Sequence, residues 1–152
     1  MRLGVFQDAA ESAFEDRLAR LDAALAAAEP CDLVLCPELF TTGYGPYARV
    51  AAYDEAAAHA AEGALAELAR RHGVALVYGT VDHTAHGRHN AARLIDRDGR
   101  PLARHAKRAL PPFEVETLFE PGAETTVVTW EGVKLGLMVC FDVEFPENVR
   151  AA

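Results

Sequence analysis

The sequence predicts a single α/β domain, on three observations. A strand, a helix and a second strand follow one another at the start, a succession that folds as a right-handed parallel crossover. Short runs rich in β-branched residues recur later and pair across Asp98-Gly99 and Glu131-Gly132 turns. The 152 residues are 51% hydrophobic and 25% charged, the profile of one globular domain. A chain of this length buries roughly two-thirds of its unfolded surface.

Taken in order, residues 2–7 form the first expected strand. In residues 11–29, Phe14, Leu18, Leu21 and Leu25 recur at helical spacing as one apolar stripe. Ser12 and Glu15 read as a capping box there, and Pro30 ends the helix. Residues 32–36 are a compact apolar strand. Pro37 and Glu38 leave it at its carboxyl end, where open α/β sheets gather functional sites. Residues 39–46, with two glycines, Tyr44 and Pro46, read as a loop. An alanine-rich helix is expected between residues 53 and 72, with Leu65 and Leu68 facing inward and Gly73 as its stop. Residues 74–81 are the third strand and 82–89 a polar connection. Residues 90–96 and 101–106 form a hairpin that leaves Lys107 just past a strand end. Residues 110–122 read as an acidic, proline-punctuated loop, and 125–130 with 133–139 as the last hairpin.

The run 133–139 is mostly apolar and suits a strand buried on both faces. Pro146 fits the first turn of a following helix, and Glu147 sits where the helix dipole favours negative charge. Cys140 is thereby expected at a strand-to-helix elbow, open to solvent, with the Phe141 N–H aimed at a developing anion. Three strands then end in Glu38, Lys107 and Cys140. A thiol nucleophile needs a base, and a carboxylate serves if burial raises its affinity for the proton. A nearby lysine favours the thiolate and neutralises an oxyanion. Spacing alone leaves open whether the three meet.

Three motifs bear on that question. Cys140-Phe-Asp142-Val-Glu-Phe145-Pro146-Glu147 resembles the nucleophile motif of the nitrilase superfamily, the carbon–nitrogen hydrolases. Leu35-Cys-Pro37-Glu38-Leu-Phe40-Thr-Thr-Gly43-Tyr44 resembles its general-base motif. Lys107-Arg-Ala-Leu110, with Glu114 and Phe119-Glu-Pro121-Gly122 after it, resembles its lysine motif. The resemblance implies an α-β-β-α sandwich in which Cys140 attacks the substrate carbon and Glu38 shuttles the proton. It further implies that Lys107 and the Phe141 N–H hold the oxyanion, and that a second glutamate positions substrate or Lys107. Glu114 is the choice for that role and Glu116 the rival. The Cys-Phe-Asp triplet resembles the amidase-like branches more than the nitrile specialists. Small amides are therefore the expected substrates, with nitriles and carbamoyl amides as alternatives. No cofactor and no metal is implied, and a homo-oligomer is expected from the resemblance alone.

Two features depart from the family pattern. His105 stands where an aromatic residue is common, two before the lysine. The sandwich also continues well beyond the nucleophile elbow, so the chain is expected to be the N-terminal portion of one domain, incomplete at its C-terminus. That expectation carries a second functional reading: a catalytically incomplete piece acting as a subunit or interaction module. A redox thiol protein is a third, without a resolving cysteine near Cys140 in sequence.

Other residues receive plainer readings. Cys31 and Cys36 are expected as core or structural thiols. His83, His86 and His89 are expected on a solvated loop, and His59 and His72 on helix surfaces. Asp142 either supports the site from behind or caps the following helix. Tyr44 is assigned to the pocket loop and Trp130 to packing, and Glu147 is expected to pair with Arg150. The net charge of -8 argues against nucleic acid and anionic membrane as partners. The N-terminus turns polar too soon for a signal peptide, and three cysteines suit a reducing compartment, so a cytoplasmic location is expected.

Overall fold

The apolar residues of the first three strands alternate between two faces, and this alternation sets the layers. The structure, a computed structural model, describes residues 1–9, 11–45 and 47–152, with all side chains among these except those of residues 47 and 115–117. Among the described residues, β1 (Leu3–Val5), β2 (Leu33–Leu35), β3 (Ala75–Thr84), β4 (Gly87–Ile95) and β5 (Pro101–Ala106) form one sheet in that order. The first two pairings are parallel and the last two antiparallel. The helix α1 (Phe14–Ala27) makes the expected crossover from β1 to β2. The helix α3 (Glu55–His72) starts at Asp54, whose side chain accepts the Ala57 N–H, and stops at Gly73 in the left-handed region.

One sheet face packs on these helices. Val34, Leu76 and Tyr78 meet Leu21, Leu65 and Leu68 there, and Phe14, Leu18 and Leu25 pack at the margin. Cys36 lies in the same core, where burial pushes its thiol up to about 12. The opposite face, through Leu33, Ala75, Val77, Ala92 and Leu94, packs on the hairpin of β6 (Thr126–Trp130) and β7 (Val133–Leu137). The hairpin reaches Leu33 but leaves its neighbours on the same face uncovered. Leu3, Val5 and Leu35 are 60%, 71% and 47% exposed. The layering is thus helices, sheet, second sheet, an α/β arrangement whose second sheet has two strands among the described residues.

Several expectations need correction. Ser12 does not cap α1. The helix starts after Ala13 without a side-chain cap, and the Ser12 carbonyl instead accepts from Arg17 and Arg49. The Ser12 Oγ, the atom a cap would use, meets the Arg20 guanidinium instead. A short helix, α2 (Tyr47–Ala52), precedes α3, between the expected loop and the expected alanine-rich helix. Residues 82–89 are no polar connection: β3 and β4 run on to a two-residue turn, because nine cross-strand pairs hold them in register. His89 is consequently buried, its ring nitrogens meeting the Glu120 carbonyl and Thr84 Oγ1, whereas His86 is exposed as expected. The acidic loop contains α4 (Pro112–Thr117), opened by Pro112 in its first turn. The strand β7 is not buried on both faces, since Val133, Lys134 and Gly136 are exposed and only one face meets the main sheet.

Candidate active site

Each of the three strand ends is held by backbone chemistry before any functional side chain is considered. After β2, the chain turns tightly against β3. Leu39 takes a left-handed conformation at φ 50°, and Gly79 leaves room for it. A Cβ at Gly79 would stand 2.3 Å from the Leu39 nitrogen and 2.6 Å from the Pro37 carbonyl oxygen. Arg17, buried on the apolar stripe of α1, donates from Nε to the Phe40 carbonyl (2.8 Å) and from Nη2 to the Thr41 carbonyl (3.0 Å). These contacts clamp the turn that carries Glu38.

Lys107 follows β5. Its N–H donates to the Asn90 carbonyl (2.8 Å) and its carbonyl accepts from Gly122 (2.8 Å). The side chain is fully buried, and Nζ donates to Glu38 Oε1 at 2.7 Å and to Glu114 Oε1 at 2.9 Å. Burial alone would lower the Lys107 pKa, but the hydrogen bonds and charges of the two carboxylates outweigh it and hold the ammonium above its usual range. Glu114, on α4, is itself buried and also accepts from the Tyr44 hydroxyl at 3.0 Å. The Tyr44 ring packs against the cluster of Leu39, Val50, Val81 and Phe119. The side chain of Glu116 lies outside the described residues.

Cys140 stands just past β7 at φ 45°, a strained backbone for a residue with a Cβ. It opens a 3₁₀ turn (Cys140–Glu144) that runs into α5 (Pro146–Ala151). The thiol is exposed, on a cleft of about 520 Å³ that Glu38, Pro37, Gly79, Met138 and Val139 also line. Burial against the cleft wall pushes the thiol pKa up. The Glu38 carboxylate pushes the same way, and Lys107 and the Phe141 N–H pull it down without cancelling the rise. A resting neutral thiol is the result, so nucleophilic attack here requires a base, and Glu38 is beside it.

Asp142 settles its open reading: it does not cap α5. The fully buried carboxylate accepts the N–H groups of Arg108 (2.9 Å), Ala109 (2.8 Å) and Val139 (3.0 Å), and His105 Nε2 lies 3.0 Å away. Burial raises its pKa, but these four partners outweigh burial and hold it below the usual carboxylate range. Asp142 therefore ties the segment after Lys107 to the elbow that bears Cys140. His105, the unusual residue before the lysine, is one of the ties.

Sequence reasoning missed two residues, and both left a signal. Asn90 is a polar residue beside Ala91 and Ala92 in an expected strand, and Arg17 falls within the helical stripe of Phe14, Leu18 and Leu21. Of the remaining candidates, Trp130 packs under the Arg97 guanidinium at 5.5 Å, and Cys31 packs at the core margin. Glu147 and Arg150 are exposed and form no ion pair with each other among the described residues. His59 is exposed on α3, and the half-buried His72 meets Asp22 at 2.6 Å. No group of three or more metal-ligating side chains gathers among the described residues.

Comparison with known proteins bears on the family and the fold. The family model for carbon–nitrogen hydrolase matches residues 4–152. A hydrolase of Pseudomonas protegens is 34% identical over 136 residues, covering 88% of this chain and 48% of that protein. An (R)-stereoselective amidase of a Pseudomonas species is 32% identical over 131 residues, covering 86% of this chain and 47% of that one. The crystal structure of an amidase from Nesterenkonia sp. superposes with a TM-score of 0.91 at 37% identity, over 100% of this chain and 60% of that chain. A variant of that amidase has been captured with acrylamide added to its active-site cysteine. The chain spans about half the length of the curated relatives it matches. With its motifs, its layers and the match along nearly its whole length, this chain belongs to the carbon–nitrogen hydrolase family.

Proposed function

We propose that the chain is the N-terminal portion of an amidase-type carbon–nitrogen hydrolase domain, and that Glu38, Lys107 and Cys140 form its catalytic triad. The observation that carries the reading is the buried Lys107 ammonium bridging Glu38 and Glu114 beside the cleft that Cys140 lines. Cys140 Sγ attacks the carbonyl carbon of a small amide while Glu38 takes the thiol proton. The carbonyl electron pair moves onto oxygen, where the Lys107 ammonium and the Phe141 N–H stabilise the charge. The C–N bond then breaks, Glu38 gives its proton to nitrogen, and ammonia leaves. The acyl group stays on Cys140 as a thioester until water, deprotonated by Glu38, releases the acid and restores the thiol. Glu114 orients Lys107, Tyr44 walls the pocket and Asp142 fixes the elbow from behind. The relatives named as amidases favour amides over nitriles or carbamoyl amides as substrates.

The test is ammonia release from acetamide and propionamide by the chain and by Cys140→Ala and Glu38→Gln. Turnover in the wild type and none in either variant supports the triad; equal rates in all three refute it.

A second reading rests on the uncovered Leu3, Val5 and Leu35 beside the cleft. On this reading the chain is a subunit that becomes competent only with a further sheet layer, and it self-associates when alone. Sedimentation at several concentrations decides: a dilution-resistant monomer with full turnover excludes it. Homo-oligomerisation and a cytoplasmic location belong with the proposal. No helix among the described residues is long and apolar enough to cross a membrane.

A further inference from the structure

Asn90 sits in the middle of β4 with its side chain fully buried. Its Nδ2 lies 2.7 Å from Glu38 Oε1 and 3.4 Å from Glu114 Oε2, and its own carbonyl accepts the Lys107 N–H at 2.8 Å. One residue thus touches all three members of the charged cluster. The orientation of the amide is fixed by chemistry: reversed, its oxygen would face two carboxylate oxygens. Its Oδ1 is buried and has no partner among the described residues. An unsatisfied buried acceptor is costly, and an apolar residue at this position would avoid that cost. The amide is explained by its donor.

We infer that Asn90 is a positioning residue that assigns the two oxygens of Glu38: Oε1 is saturated by Asn90 and Lys107, and Oε2 is left as the lone pair that takes the Cys140 proton. The inference rests on the proposed Glu-Lys-Cys reading and adds to it. Lys107 alone would leave Glu38 free to rotate about its last torsion, which is broad and roughly two-fold. The second donor on Oε1 removes that freedom. With its Nδ2 contact to Glu114, Asn90 bridges the same two carboxylates that the ammonium bridges.

The test reads Cys140 chemistry directly and needs no completed turnover. The chain, Asn90→Asp, Asn90→Ala and Glu38→Gln are alkylated with chloroacetamide across pH 4–9, and modification of Cys140 is followed by intact mass. Circular dichroism checks the fold of each. In the wild type the rate is expected to fall towards low pH, where the thiol proton has no acceptor. A carboxylate deprived of a hydrogen-bond donor, or given a like-charged neighbour, holds its proton to higher pH. The low-pH midpoint should therefore move up by about one unit or more in Asn90→Asp, and in the same direction in Asn90→Ala. Asn90→Ala carries the test if the aspartate variant does not fold. A merely structural role would lower the rate evenly and leave the midpoint in place; that result, with Glu38→Gln still slow, overturns the assignment of Asn90 alone. A Glu38→Gln variant that alkylates like the wild type overturns the triad reading, and this inference with it.

Discussion

Removing the Asp142 carboxylate should be among the most damaging single changes in this chain. Its oxygens divide the work evenly: Oδ1 accepts from Arg108 and Ala109, Oδ2 from Val139 and faces His105 Nε2. Hydrogen bonds to a charged group contribute about 1.5–3 kcal/mol each, but four on one buried carboxylate do not add. Breaking a buried charged group away from its partners costs about 3–5 kcal/mol, and Asp142→Ala should fall there. That is a large part of the roughly 5–15 kcal/mol that holds a domain of ordinary stability. Asp142→Asn keeps one oxygen for Arg108 and Ala109 and turns an amide donor towards the Val139 N–H. It should cost about 1–3 kcal/mol, the penalty for an unsatisfied buried donor. Urea unfolding followed by the fluorescence of Trp130, the single tryptophan, measures both, provided the slopes agree. An Asp142→Ala variant within about 1 kcal/mol of wild type would refute the view that this carboxylate joins the Lys107 segment to the elbow.

Three further outcomes are expected. Because the folded protein holds Asp142 below the usual carboxylate range, its stabilisation is complete above about pH 4 and disappears as pH falls through the folded value. The stability gap between wild type and Asp142→Asn should stay level from neutral pH to that point and then close; a gap that widens in acid contradicts the sign. Gly79→Ala must displace the Glu38 turn, because its Cβ has no space against Leu39 and Pro37. It should lower stability by about 1–3 kcal/mol in the same urea assay and slow Cys140 alkylation at least tenfold; normal alkylation would separate that turn from the site. Val5→Lys, on the uncovered apolar face, should reduce concentration-dependent association in sedimentation experiments without loss of stability in urea, whereas unchanged association would place the contact elsewhere.

The local order of this fold was readable because it is written in short periods. Leu18, Leu21 and Leu25 mark one helix face, Val34, Leu76 and Tyr78 one sheet face, and Gly73 a helix stop, each by spacing or backbone preference that acts within a few residues. The candidates Glu38, Lys107 and Cys140 were readable too, since each follows an expected strand and sits in a motif. The hairpin through His83 and His89 was not, because its polar residues gain their order from cross-strand pairing, which no local signal carries. The capping pattern at Ser12 misled because its hydroxyl meets the Arg20 guanidinium rather than the first N–H groups of the helix.

By itself, then, the chain's sequence determined the order of the main strands and helices and which side chains could do chemistry. Tertiary structure alone decided that Lys107 lies between two carboxylates, that Glu114 is one of them, and that Asn90 and Asp142 hold the parts in place. The physical reason is distance along the chain. These contacts join residues tens of positions apart, and their strength comes from burial and mutual saturation, which exist only after the layers have closed around them.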